Sequence, residues 1–338
     1  MNGSLTMLKA EARRDSVEFP PFLANHLPMV LVALDRLGAS PERLATFAQT
    51  YRSANGLVAE PLAHLQLTHD TWISALGQRA REGELRQFFA QEVAQTGGPA
   101  TISTYLPRLA RGVAGSAFHP LMRLAYAVME KDDDEIAVGL AYWAATFLPL
   151  GDEGTATGVT ADPVEVLCRA AKLPGLAEAE PESDLLWHNM RAVARVPSFA
   201  EVAGWLIIRD DTLDRMTSAS IALFAGTMGF EALHAVTGCH WLRHLRPVVA
   251  DMAPLLRHFW VGIASLMPKM GFPDIPTPQQ IGAWRRMSSP DWVEIKARAL
   301  ASDDEHDHSL TFSAFEEWRR TGDELYRVVA AKRLGLTG

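Results

Sequence analysis

Only two cysteines, Cys168 and Cys239, occur in 338 residues. They are too few for a disulfide framework and too widely spaced for a thiolate zinc site, so thiol chemistry is not central. Long apolar runs are missing too. Stretches such as NHLPMVLVALDRLG and FHPLMRLAYAVMEKDDD are broken by charge well short of the roughly 18 apolar residues that a membrane span needs, and a soluble protein is expected. The opening MNGSLTMLKAEARRDSVEF has no apolar core followed by a small-residue cleavage site, which makes the cytoplasm the expected location. Concentrated positive charge is lacking as well: the net charge of -8 comes from scattered acids. A nucleic-acid partner is not expected, because phosphates demand a basic stripe. No fixed-period repeat, glycine-rich phosphate loop or Gly-x-Ser-x-Gly elbow appears.

What the sequence has in quantity is apolar residues at helical spacing; hydrophobic residues make up 48% of the chain. In Pro28 to Leu37 the residues Val30, Leu31, Ala33, Leu34 and Leu37 fall near one face, with Asp35 and Arg36 opposite. Ser40, Pro41 and Glu42 read as an N-cap, a first-turn proline and an early acid, opening a helix through Arg43 to Arg52. Further helical patterns cover Leu62 to Arg81, Gly83 to Gln95, Ala100 to Ala110, His119 to Val128, Asp184 to Val193, Phe199 to Arg209, Thr212 to Ala225, Phe230 to Arg243, Val249 to Leu266, Trp284 to Ala301 and Phe312 to Ala331. Asp132 to Glu135 precede the apolar run Ile136 to Leu148, as acids do at a helix N-terminus. Gly151 to Pro163 reads as a loop, Gly175 to Ser183 is a second weak segment, and the four prolines of MPKMGFPDIPTPQQ require extended or turning backbone. The expected fold is all-α: a single compact multi-helix domain over 1–338 with a site in its helical core, any lobe boundary falling around 151–183.

With other chemistries set aside, the eleven histidines carry the functional question. His26 opens an apolar helix, His119 lies in AFHPLM, His234 in EALHAVTG, His240 shortly after it, and His306 in SDDEHDH. A single histidine on an apolar face is usually a satisfied core or capping residue. Their placement at the starts or interiors of different helices, however, is how a bundle gathers metal ligands. Imidazole suits iron, zinc, copper and nickel alike. Spacing offers a competing chelate: His240 and His244, four apart, share a helix face, although Arg243 and Arg246 flank His244. His306 and His308, two apart, cannot both point inward. His64, His69, His188 and His258 have polar or surface-like settings.

Four ordered blocks carry a family likeness: NHLPMVLVALDRLGASPERL, GSAFHPLMRLAYAVMEKDDDEIAVGLAYWA, ALHAVTGCHWLR and WVEIKARALASDDEHDHSL. Together they resemble the questin oxidase-like proteins over nearly the whole chain. The resemblance implies an all-helical enzyme acting on polycyclic aromatic substrates such as anthraquinones, by Baeyer–Villiger-like oxygen insertion or oxidative ring opening, with a mononuclear non-haem iron in some relatives. It carries a ligand role to His26, His119, His234 and His306. One position departs. The family's last motif often continues His-x-x-Lys, and here Ser309 stands where the lysine would be; His240, His308, water or, more remotely, Lys296 could take its part.

The resulting expectation is an oxygenase in which those four histidines hold Fe(II), His240 and His308 are the catalytic candidates, and Tyr126, Trp143 and Trp241 wall a flat aromatic substrate that meets dioxygen. Two alternatives stand beside it. One is a cofactor-independent Baeyer–Villiger-type monooxygenase with no metal; the other is a non-catalytic helical binding protein.

Overall fold

The computed structural model describes residues 3–151 and 158–337. Its α-helices, in chain order, are α1 (Gly3–Ala12), α2 (Leu27–Leu37), α3 (Pro41–Asn55), α4 (Glu82–Thr96), α5 (Gly98–Leu109), α6 (His119–Glu130), α7 (Asp133–Ala145), α8 (Pro163–Ala170), α9 (Leu186–Ala194), α10 (Thr212–Thr227), α11 (Phe230–Leu245), α12 (Ala253–Ser265), α13 (Pro278–Arg285), α14 (Trp292–Leu300), α15 (Glu305–Thr321) and α16 (Leu325–Arg333). The only sheet among the described residues is a hairpin of β1 (Glu18–Phe19) and β2 (Leu23–Ala24). The fold is all-α, as its apolar period predicts.

The chain forms two compact units, each assembled from separated segments. The first takes residues up to Glu60, Ile221–Met228 and the chain from Pro276 on. Its core gathers one face of α1, α2 and α3: Leu27, Val30, Leu31 and Leu34 are 0% exposed and Phe47 1%. Burial of such side chains contributes about 1.5–3 kcal/mol each. Ser40 caps α3 by accepting the Arg43 N–H at 3.3 Å, Pro41 follows at the first helical position, and Gly38 ends α2 at φ 101°, where a side chain would be strained. α15 packs on α2 and α16.

The second unit is Pro61–Ser220 with Gly229–Ile275. Here α7 packs between α4 and α6, and α6 also packs on α11. Gly139 lets α7 approach closely, since a Cβ there would stand 3.1 Å from the Leu124 backbone of α6. Asp132 caps α7 by accepting the Glu135 N–H at 3.1 Å, and Asp133, Asp134 and Glu135 fill the first turn, the dipole role expected of that acidic run.

Several expected helices are corrected. Leu62 to Arg81 holds only 3₁₀ turns at Trp72–Ala75 and Arg79–Arg81, because Leu62 and Leu65, 77% and 63% exposed, have no core to meet. Phe199 to Arg209 is likewise not a helix: the Trp205 carbonyl and the Ile207 N–H pair with Val159 and Thr160 at 2.7 and 2.8 Å, which holds the backbone extended. Of Trp284 to Ala301, only Trp284 and Arg285 end α13; the chain then leaves the helix through Pro290, and Asp291 caps α14. Phe312 to Ala331 belongs to two helices separated at Gly322, with φ 69°. The loop read at Gly151 to Pro163 falls partly on 152–157, outside the described residues. α1 and α8 were not expected.

Candidate functional site

In the first unit the β1–β2 hairpin delivers the chain to His26, the residue before α2. The His26 N–H donates to Tyr51 Oη at 3.0 Å, and its ring Nδ1 donates to the Ala24 carbonyl at 3.0 Å. Burial, with the nearby Glu305 carboxylate, pushes the Tyr51 phenol up from its ordinary range, so Tyr51 stays a neutral hydrogen-bonding post. His306 stands in the first turn of α15. Asp304 caps that helix, accepting the His306 N–H at 2.9 Å and its Nδ1 at 3.0 Å, while Arg333 reaches the other carboxylate oxygen at 2.6 Å. The hydrogen bond from the His306 side chain is the main reason the Asp304 carboxyl is held down at about 2. The His26 and His306 rings are 5.2 Å apart.

Asp304, Glu305 and His306 present ligand-type atoms all within 4.8 Å of one another, and Glu305 lies 3.8 Å from His26 Nδ1. The two acids were not singled out from sequence, although the run SDDEHDH that encloses His306 signals them.

In the second unit His119 and His234 bring their rings to 5.8 Å, steeply inclined at 78°. His119 opens α6, and its Nδ1 donates to the Ser116 carbonyl. His234 lies in the second turn of α11, with Nδ1 donating to the Phe230 carbonyl at 2.9 Å and the Phe230 ring 4.8 Å away.

All four histidines therefore share one arrangement. In each, Nδ1 faces an oxygen that can only accept, a backbone carbonyl for three and the Asp304 carboxylate for the fourth. Nδ1 must carry the proton, and a neutral ring then holds its lone pair on Nε2, the nitrogen that can ligate. Metal-bound histidines are oriented by the same kind of contact, so these donor sets fit a transition metal.

The other expected site residues have different settings. His240 and His244 meet through Nε2 atoms 3.0 Å apart, so one nitrogen carries the proton that the other accepts. Burial holds the His240 ring well below the usual imidazole range, and His244 and Arg243 add to the effect. Positive charge from Arg243 opposes a cation at this pair. His308 is 0% exposed; its Nε2 donates to the Ser302 carbonyl at 3.0 Å, the opposite tautomer to the four, and burial lowers its pKa to about 4. Lys296 sits 3.2 Å over the Phe315 ring. Ser309, one turn beyond His306, is buried, and its Oγ meets no hydrogen-bond partner among the described residues. Tyr126, Trp143 and Trp241 are buried in the second unit's packing. Tyr126 and Trp241 each follow a histidine by seven residues, so they share the helix faces of His119 and His234. His258, surface-like by sequence, is also buried.

A family model described as Questin oxidase-like matches residues 23–310 of this 338-residue chain. The chain belongs to the questin oxidase-like family. No curated protein matches it. The matched span of this questin oxidase-like chain includes all four histidines and Ser309, and membership points to an oxidoreductase.

Proposed function

We propose that this protein is an oxygenase of polycyclic aromatic or quinone-type substrates and that His26 and His306 in the first unit, and His119 and His234 in the second, are its candidate ligands for iron. The observation that supports the reading is a shared contact: four histidines, each with Nδ1 committed to an oxygen acceptor, which leaves Nε2 as the nitrogen that can ligate. Bound iron(II) would supply the electrons that let dioxygen react with a closed-shell aromatic ring. The protein's part is to hold its imidazoles oriented and to shield the reacting ring from water. Asp304, ionised and hydrogen-bonded to His306, strengthens that ring as a donor. Phe230, 42% exposed and packed on His234, is an aromatic surface on which a flat substrate can stack.

Metal analysis of protein purified without added metal tests the proposal, together with oxygen uptake on a hydroxyanthraquinone. Bound iron is expected, with His26→Ala, His119→Ala, His234→Ala and His306→Ala each lowering both iron content and uptake. Wild-type iron content and uptake in all four variants would overturn it. Uptake by protein that never held metal would instead support the cofactor-independent oxygenase.

A further inference from the structure

Three consecutive residues without glycine's freedom, Ser116, Ala117 and Phe118, adopt left-handed backbone at φ 46°, 53° and 71°, immediately before His119. Such a run is disfavoured for L-residues and persists only where its surroundings over-determine it. Those surroundings come from the C-terminal end of α7 and from α12. Tyr142, 0% exposed, places its hydroxyl 2.7 Å from Ser116 Oγ. Thr146 bonds back to the Tyr142 carbonyl through its N–H at 3.0 Å and its Oγ1 at 2.8 Å. At the start of the turn, Gly115 lies so close to Thr146 that an added Cβ would collide with the Thr146 carbonyl. At its end the Phe118 ring is buried, packed 4.9 Å from the Phe259 ring and against Gly262, which has no side chain to obstruct it.

Ser116 is the link. Its hydroxyl meets Tyr142, and its carbonyl accepts from His119 Nδ1. A right-handed turn would rotate that carbonyl away from the ring. We infer that Tyr142 is a positioning residue for His119, acting through the strained left-handed turn Ser116–Phe118, which fixes the ring's tautomer and direction. The inference deepens the proposed function and rests on it for the role of His119. The strain serves to place one imidazole, which explains why none of the three left-handed positions is glycine: a glycine at Ala117 would remove the strain and the rigidity together.

The test uses Tyr142→Phe and Ala117→Gly in the full chain, with His119→Ala as reference and Co²⁺ as a spectroscopic probe of the metal site. Three quantities are read: Co²⁺ affinity, thermal midpoint, and the ¹⁵N shifts of the His119 ring in metal-free protein. Tyr142→Phe should weaken Co²⁺ binding roughly 10–100-fold, the usual effect of removing a group that orients a ligand, and should shift the metal-free His119 ring toward a mixture of tautomers. Ala117→Gly should keep or raise the midpoint while weakening Co²⁺ binding, a divergence that a merely structural turn would not show. Wild-type tautomer and affinity in both variants, with binding lost in His119→Ala, would overturn the inference and leave the proposed function intact. If the wild type takes up no Co²⁺, or His119→Ala binds it as well as the wild type, the ligand role of His119 falls and the tautomer measurement alone decides the role of Tyr142.

Discussion

A histidine becomes a ligand, a base or a structural post according to which ring nitrogen its surroundings protonate. His26 and His308 are both buried in the first unit, yet the first donates through Nδ1 and the second through Nε2. His240 illustrates the energetic side. Its folded pKa lies well below its unfolded value, so its stabilising contribution is fully present above the unfolded pKa near ~6.5 and is lost as pH falls through and below it, because the unfolded chain binds a proton that the folded chain refuses. Urea unfolding between neutral and mildly acidic pH should show falling stability, with a shallower slope in His240→Gln; equal slopes would contradict the assignment. At Ser309, a buried hydroxyl with no partner among the described residues gives the fold little, so Ser309→Ala should leave stability within ~0.5 kcal/mol of wild type or raise it, read as the denaturant midpoint. Which residue departs from the family motif was visible in the sequence. That its hydroxyl is buried was not, because burial depends on what packs over that face of α15.

Elements were legible where capping chemistry marks their ends. Ser40–Pro41 and the acids at Asp132 announce α3 and α7 because side-chain oxygens satisfy first-turn N–H groups that the backbone leaves open. Leu62 to Arg81 shows the converse: apolar residues at plausible spacing make no helix when no partner surface buries them. Contacts between elements lie further beyond sequence. Arg123 of α6 and Glu135 of α7 form a buried pair at 3.0 Å, 1% and 4% exposed at their side chains, while both Arg123 Nη atoms are buried without hydrogen bonds among the described residues. Arg123→Leu removes the carboxylate's guanidinium partner and should cost about 3–5 kcal/mol in urea unfolding, whereas the double variant with Glu135→Leu should recover most of that loss. A double variant as unstable as the single one would show that the pair contributes more than its own desolvation.

For the whole molecule, ligand binding and stability are linked. Iron(II) at a hundredfold its Kd should raise the unfolding free energy by ~2.7 kcal/mol, seen as a shifted denaturant midpoint under anaerobic conditions, and any His→Ala variant that loses metal should lose the shift. No described helix is long and apolar enough to cross a membrane, consistent with charge interrupting every apolar run. The all-α class and most helix positions were determined by sequence alone, because a 3.6-residue apolar period and cap residues are local properties that survive without knowledge of neighbours. The grouping of the helices was not: residues up to Glu60 join the chain from Pro276 on in one unit, a pairing set by complementary packing surfaces. Tertiary structure alone likewise brought His26 to His306 and His119 to His234 and decided which nitrogen of each carries the proton, since that depends on a carbonyl or carboxylate whose position only the folded backbone fixes.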